Sequence, residues 1–98
     1  MIIVHDIFIC KPGNASKVAK MFKEVMASME EFDSVMTDMT GQFNRVIMVS
    51  KYESLAAYEK SFEKHMQQDT EEAKKMKEVM KGFHDMYVSG SREIYRTW

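Results

Sequence analysis

His5 and Asp6 stand side by side inside an otherwise apolar run, Ile2 to Cys10 (IIVHDIFIC). An imidazole beside a carboxylate could move protons, one partner accepting while the other orients it. The run, however, is rich in isoleucine and valine and closes on Lys11-Pro12-Gly13-Asn14, so it reads as a β-strand ended by a turn. A strand sends successive side chains to opposite faces. Asp6 therefore groups with Val4, Phe8 and Cys10, and His5 with Ile3, Ile7 and Ile9. The two cannot form a dyad. A carboxylate lined by Phe8 and methionines could serve as a proton acceptor. The competing reading is an acid ion-paired across the sheet or a dimer to Arg45, Arg92 or Arg96, since buried acids are usually paired. His5 reads as a hydrogen-bonded residue facing the helices, and Asp6 as facing the second side of the sheet.

The remaining polar candidates are scattered. His65 lies beside Phe62 and Met66 on a helix stripe. It reads as a half-exposed helix histidine, the sharper alternative being an axial haem ligand or proton shuttle. His84 follows Gly82 at a fading helix end and carries no evident chemistry. Tyr52, Tyr95 and Trp98 fall at strand ends, where they could flank an apolar ligand or build a dimer interface. Cys10 has no basic helix terminus or histidine in sequence reach to activate it. The chain has 11 methionines, but Met21, Met26, Met29, Met76 and Met80 fall at helical core spacing, which favours gap filling over a thioether metal site. No phosphate loop, Cys/His ligand spacing or nucleophile elbow occurs.

Bulk composition narrows the class. Ninety-eight residues suit one domain, residues 1–98, and a chain this short gains from association through an apolar face. A net charge of −1 with mixed signs offers no footprint for nucleic acid or an anionic membrane. No apolar run approaches a bilayer span or the core of a signal peptide. One cysteine excludes an internal disulfide framework and fits a reducing, cytoplasmic setting.

Periodicity supplies the elements that must position these residues. After Asn14, a candidate cap, Val18, Met21, Phe22, Val25, Met26, Met29 and Phe32 recur at helical spacing. Ser34–Thr40 and Phe43–Tyr52 alternate about a Gly41-Gln42 turn and predict a hairpin. Glu53-Ser54 opens a helix with Leu55, Tyr58, Phe62 and Met66 on one stripe. Asp69 and Glu72 resemble a capping box, which predicts a break at 68–70 and a further helix carrying Ala73, Met76, Val79, Met80 and Phe83. Ser91 to Trp98 reads as a closing strand. The order β-α-β-β-α-β predicts an α+β, ferredoxin-like domain: a four-stranded antiparallel sheet with helices on one face. Because the first strand is apolar on both faces, something must cover the bare side, and a second copy of the chain is the simplest cover.

The opening strand with its Lys11-Pro12-Gly13 end, the block FNRVIMVSKYESLAAYE from Phe43 to Glu59, and the final SREIYR resemble the NIPSNAP family. That family sits among the dimeric α/β-barrel proteins, beside antibiotic-biosynthesis monooxygenases and haem-degrading enzymes. The resemblance implies a homodimer through the open sheet face, with an apolar cavity in each protomer between sheet and helices. It also implies a small apolar or aromatic ligand bound by Asp6, Phe8, Met48, Ser50 and Tyr52, with Asp6, His65 and Tyr52 as candidates for catalysis. Met48 and Ser50 stand where such sequences often carry His and Trp, and Asp6 stands in the region where haem-degrading relatives carry Asn. No metal or cofactor is expected, haem entering only under an alternative in which the cavity serves a cofactor-independent or haem-degrading monooxygenase.

Overall fold

A computed structural model of the protein describes residues 1–65 and 71–98, the side chains of Lys64, His65 and Glu72 excepted. The elements run β1 (Ile2–Cys10), α1 (Ala15–Met26), β2 (Phe32–Thr37), β3 (Arg45–Tyr52), α2 (Leu55–His65), α3 (Glu71–Val79), a single 3-10 turn (Phe83–Asp85) and β4 (Tyr87–Arg96). The four strands form one antiparallel sheet in the order β2-β3-β1-β4. This is the ferredoxin-like α+β arrangement, with the β1–α1 and β3–α2/α3 connections placing their helices on the same face.

Directly opposed residues of an antiparallel pair share a face. Val4, Asp6, Phe8 and Cys10 of β1 therefore lie with Met48 and Val46 of β3. This is the helix side: Val18 and Phe22 of α1 pack with Cys10, Val46 and Phe83 into one buried cluster, and Phe8, Met48, Met80 and Tyr87 close around it. Phe8 is the centre of an aromatic group, its ring 5.3 Å from Phe22, 5.3 Å from Phe83 and 5.1 Å from Tyr87. The opposite face presents Ile3, His5, Ile7 and Ile9 of β1, Ile47 and Val49 of β3, Met36 of β2 and Tyr95 of β4, and among the described residues no helix crosses it.

The sidedness expected from the sequence is thus reversed. Asp6 lies under the helices and His5 on the bare face. Both residue sets of β1 are apolar enough to enter a core, so alternation separates them without saying which one the helices cover. Boundaries also shift. The apolar stripe after Asn14 continues to Phe32, but α1 stops at Met26 and Phe32 opens β2, which ends at Thr37 rather than Thr40. Asn14 makes no side-chain cap hydrogen bond; its carbonyl accepts from Val18 N at 2.9 Å. Phe43 and Asn44 take positive φ of 45° and 59°, so β3 begins only at Arg45. Gly82, at φ 83°, leads into the 3-10 turn, and β4 starts at Tyr87, four residues before the expected strand. The proposed capping box at Asp69 lies outside the described residues.

Candidate functional site

β1 and β4 place Asp6 directly opposite Arg92. Arg92 Nε donates to Asp6 Oδ1 at 2.5 Å. Asp6 is 8% exposed, whereas the Arg92 side chain is about half exposed at 48%. Of the two readings open for Asp6, the ion pair is what forms, and Arg92 is the partner. The pairing follows from register: two residues facing each other across a ladder need no long reach to meet.

An aromatic wall from α2 stands over this pair. Ser54 starts the helix by accepting from Ala57 N at 3.1 Å, satisfying one of the free N–H groups of the first turn. Tyr58 and Phe62 follow at i and i+4, one above the other on the same side, with ring centroids 4.8 Å apart. The Arg92 guanidinium carbon sits 5.7 Å from the Tyr58 centroid and 5.4 Å from that of Phe62, within cation–π range of both. Tyr52, at the end of β3, closes the stack with its ring 4.9 Å from Tyr58.

The electrostatics match this geometry. Burial pushes the Tyr58 phenol above its ordinary value; the Arg92 charge opposes the rise, and Asp6 and Tyr52 add to it. The hydrogen bond to Asp6 raises Arg92 further. Among the described residues the Tyr58 hydroxyl is buried and has no hydrogen-bond partner. A buried phenolic O–H left unpaired is costly.

The residues singled out from the sequence divide into three groups. Asp6, Tyr52 and the buried Ser50 lie on the helix side, the first two within the cluster just described. Phe8 and Met48 share that face and pack against the α1 core. Tyr95 lies on the bare face, its ring edge-on to His5 at 5.3 Å and its hydroxyl donating to Glu93. Trp98 is exposed beyond the sheet, its ring 6.0 Å from the Arg96 guanidinium. The His65 side chain lies outside the described residues. Cys10 is buried in the core cluster, and burial pushes its thiol up, away from the reactive thiolate. Tyr58 and Phe62, read from the sequence as core stripe, are the residues that sequence reasoning missed. Among the described residues no group of three or more His, Cys, Asp or Glu side chains could hold a metal, and no helix is long and apolar enough to cross a membrane.

Two clefts open elsewhere. One, of about 290 Å³, lies between α1 and α3 against Val25, Met76 and Val79; another, of about 380 Å³, lies beside Gly13, Ala15, Asp38 and Phe43. Neither touches Asp6, Ser50 or Tyr52, so the ion pair stands at an aromatic-walled shelf on the sheet.

Solved structures share this whole architecture. A NIPSNAP domain protein from Burkholderia xenovorans superposes with a TM-score of 0.78 at 9% identity, over 100% of this chain and 95% of its own. The structural neighbours of this chain include further NIPSNAP domain proteins. A NIPSNAP family protein from Agrobacterium tumefaciens matches with a TM-score of 0.77 at 15% identity, covering 99% of this chain and 85% of its own. An antibiotic biosynthesis monooxygenase matches with a TM-score of 0.61 at 13% identity, covering 100% and 99%. At such identities the likeness concerns the fold. No protein-family model and no curated protein sequence matches the chain.

Proposed function

We propose that the protein is a homodimeric binding module for a small apolar or aromatic molecule. The molecule would lie on the helix side of the sheet, against Asp6–Arg92, Tyr52, Tyr58 and Phe62. The single observation that carries this reading is the Tyr58 hydroxyl, buried without a partner beside an ion pair and in contact with aromatic rings. A site of this make-up offers apolar contact area and a few directed polar groups, which is what small-molecule sites use. Binding is preferred to catalysis because the buried carboxylate is tied to Arg92 and is not free to take a substrate proton. Dimerisation rests on the bare face, where Ile3, Ile7, Ile9 and Ile47 form an apolar surface that water would otherwise wet. The lone cysteine fits a reducing compartment, the cytoplasm.

Light scattering at micromolar concentration and titration with the neutral probe N-phenyl-1-naphthylamine test the two halves. The expected results are a mass of twice 11.5 kDa and a saturable fluorescence rise that Tyr58→Phe weakens. A monomer mass removes the dimer. A rise that is absent, or that Tyr58→Phe leaves unchanged, removes the site.

A further inference from the structure

The outer half of the site has a chemistry of its own. Arg92, Ile94 and Arg96 alternate along β4 and stand opposite Asp6, Val4 and Ile2, so all three point to the helix side. All three are exposed, because β4 is an edge strand that the helices leave partly uncovered; Ile94 is 41% exposed. Phe62 of α2, 42% exposed, borders the same strip through its contact with Arg92. The result is an apolar shelf bracketed by two guanidinium groups. One of these is pinned: with Nε committed to Asp6, the guanidinium plane is fixed and the hydrogen bond leaves its Nη1 and Nη2 groups unengaged among the described residues.

Resting on the binding role proposed above, we infer that the ligand is an apolar or aromatic monocarboxylic acid. Its carboxylate would be held by the Nη groups of Arg92 and its apolar body laid on Ile94 against Phe62. Three features select this class. The Arg92 Nη groups form a planar fork of donors, which matches a carboxylate in bidentate geometry. The charge balance is right, since Asp6 offsets one guanidinium and Arg96 leaves a net positive shelf. The floor is one isoleucine with a phenylalanine wall, which suits a compact hydrocarbon or ring system. Asp6 acts here as a positioning residue: it touches the guanidinium and not the ligand.

Titration of the full-length protein with 2-naphthoate, 2-naphthamide and 2-naphthylmethanol, followed by calorimetry, tests this. The three probes share one ring system and differ in head group. The acid is expected to bind at least ten-fold more tightly than either neutral analogue, and the preference should shrink as ionic strength rises, because the shelf is exposed. Arg92→Gln should abolish the preference while neutral probes still bind. Arg96→Gln, at an exposed position, should reduce it two- to three-fold, and keeps the test decisive if Arg92→Gln fails to fold. Ile94→Ser should weaken all three ligands equally. Equal binding of acid and alcohol, or a preference that survives both arginine variants, overturns the carboxylate assignment and leaves the binding role standing. Failure of every probe, N-phenyl-1-naphthylamine included, overturns both.

Discussion

Asp6 Oδ1 accepts the Nε hydrogen of Arg92 at 2.5 Å between residues that face each other directly in the β1–β4 ladder. The contact joins three levels of the molecule. Register brings the pair together, the pair orients the guanidinium, and the guanidinium carries the Tyr58 and Phe62 rings of α2. An inner residue that is nearly dry and an outer one that is half in water make the pair asymmetric, and this has measurable consequences.

Removing the outer partner should cost more than removing the inner one. Arg92→Ala strands a buried carboxylate, whereas Asp6→Ala leaves a guanidinium that water can reach. Because Arg92 is half exposed, solvent reduces the effect to about 2 kcal/mol for Arg92→Ala and about 1 kcal/mol for Asp6→Ala. Urea unfolding of both variants measures this, and equal losses would contradict the asymmetry. The double variant should lose less than the sum of the two.

Element order, sheet direction and the ion pair were readable from the sequence because each rests on local pattern. Alternation separates His5 from Asp6, turn residues end β1, and an acid on an apolar strand needs a cation. Phase was not readable. Ile3-Ile7-Ile9 and Val4-Phe8-Cys10 are equally able to sit under a helix, and Ile47-Val49 against Val46-Met48 on β3 does not break the tie. Only tertiary packing against Val18 and Phe22 decides it. The ends of α1 and β4 were missed for related reasons. No glycine or proline lies between Gly13 and Gly41 to stop the helical spacing, and the 3-10 turn after Gly82 imitates a fraying helix. Tyr58 and Phe62 looked like core because their spacing is that of core. The signal that could have found them is the Arg92-Ile94-Arg96 alternation, which sets two cations on a face expected to be apolar.

Tyr58→Phe should not destabilise the protein. The hydroxyl it deletes has no partner, so losing it removes a desolvation cost and no hydrogen bond, while the ring contacts with Tyr52 and Phe62 persist. The expected change is between zero and about 1 kcal/mol in favour of the variant. Thermal unfolding in the absence of ligand checks it. A clear loss of stability would mean that the hydroxyl is satisfied in solution.

The same phenol predicts alkaline behaviour. Its folded pKa is raised above the ordinary 10.0 by burial. A group raised on folding contributes stability that is complete below its unfolded pKa and is lost as pH climbs through the folded one. Stability should therefore decline from about pH 10 upward, and Tyr58→Phe should make that decline shallower. The Tyr95 phenol is raised as well, because its hydroxyl donates to Glu93. Absorbance titration of the phenolates in the wild type and in Tyr58→Phe would resolve the late phase.

Gly90 tests the packing on the other side of the site. A Cβ there would lie 3.3 Å from Phe8 Cδ1 and Cε1, tighter than ordinary contact. Phe8 cannot retreat, because Phe22, Phe83 and Tyr87 surround its ring. Gly90→Ala should cost about 1–3 kcal/mol through overpacking alone. Gly90→Ala combined with Phe8→Leu should recover part of that loss in a urea titration, and no recovery would place the strain elsewhere.

Ile7→Glu probes the bare face. Ile7 lies mid-strand between Ile47 of β3 and Ser91 of β4, on the side that no helix covers. A single chain leaves that position partly open to water, so a glutamate there can be hydrated and the helix-side core of Val18, Phe22 and Val46 is untouched. Within a sheet-to-sheet dimer the same glutamate would be buried against an apolar partner surface, at a cost of several kcal/mol and without a cation to meet it. The variant should therefore keep its circular dichroism spectrum and sediment as an 11.5 kDa monomer while the wild type sediments at twice that mass. Glutamate at Val88, 69% exposed on β4, should leave the wild-type mass unchanged, because a charge there meets water in the single chain and lies away from the Ile7–Ile47 patch. A folded Ile7→Glu protein that still sediments at the wild-type dimer mass would move the interface off this face.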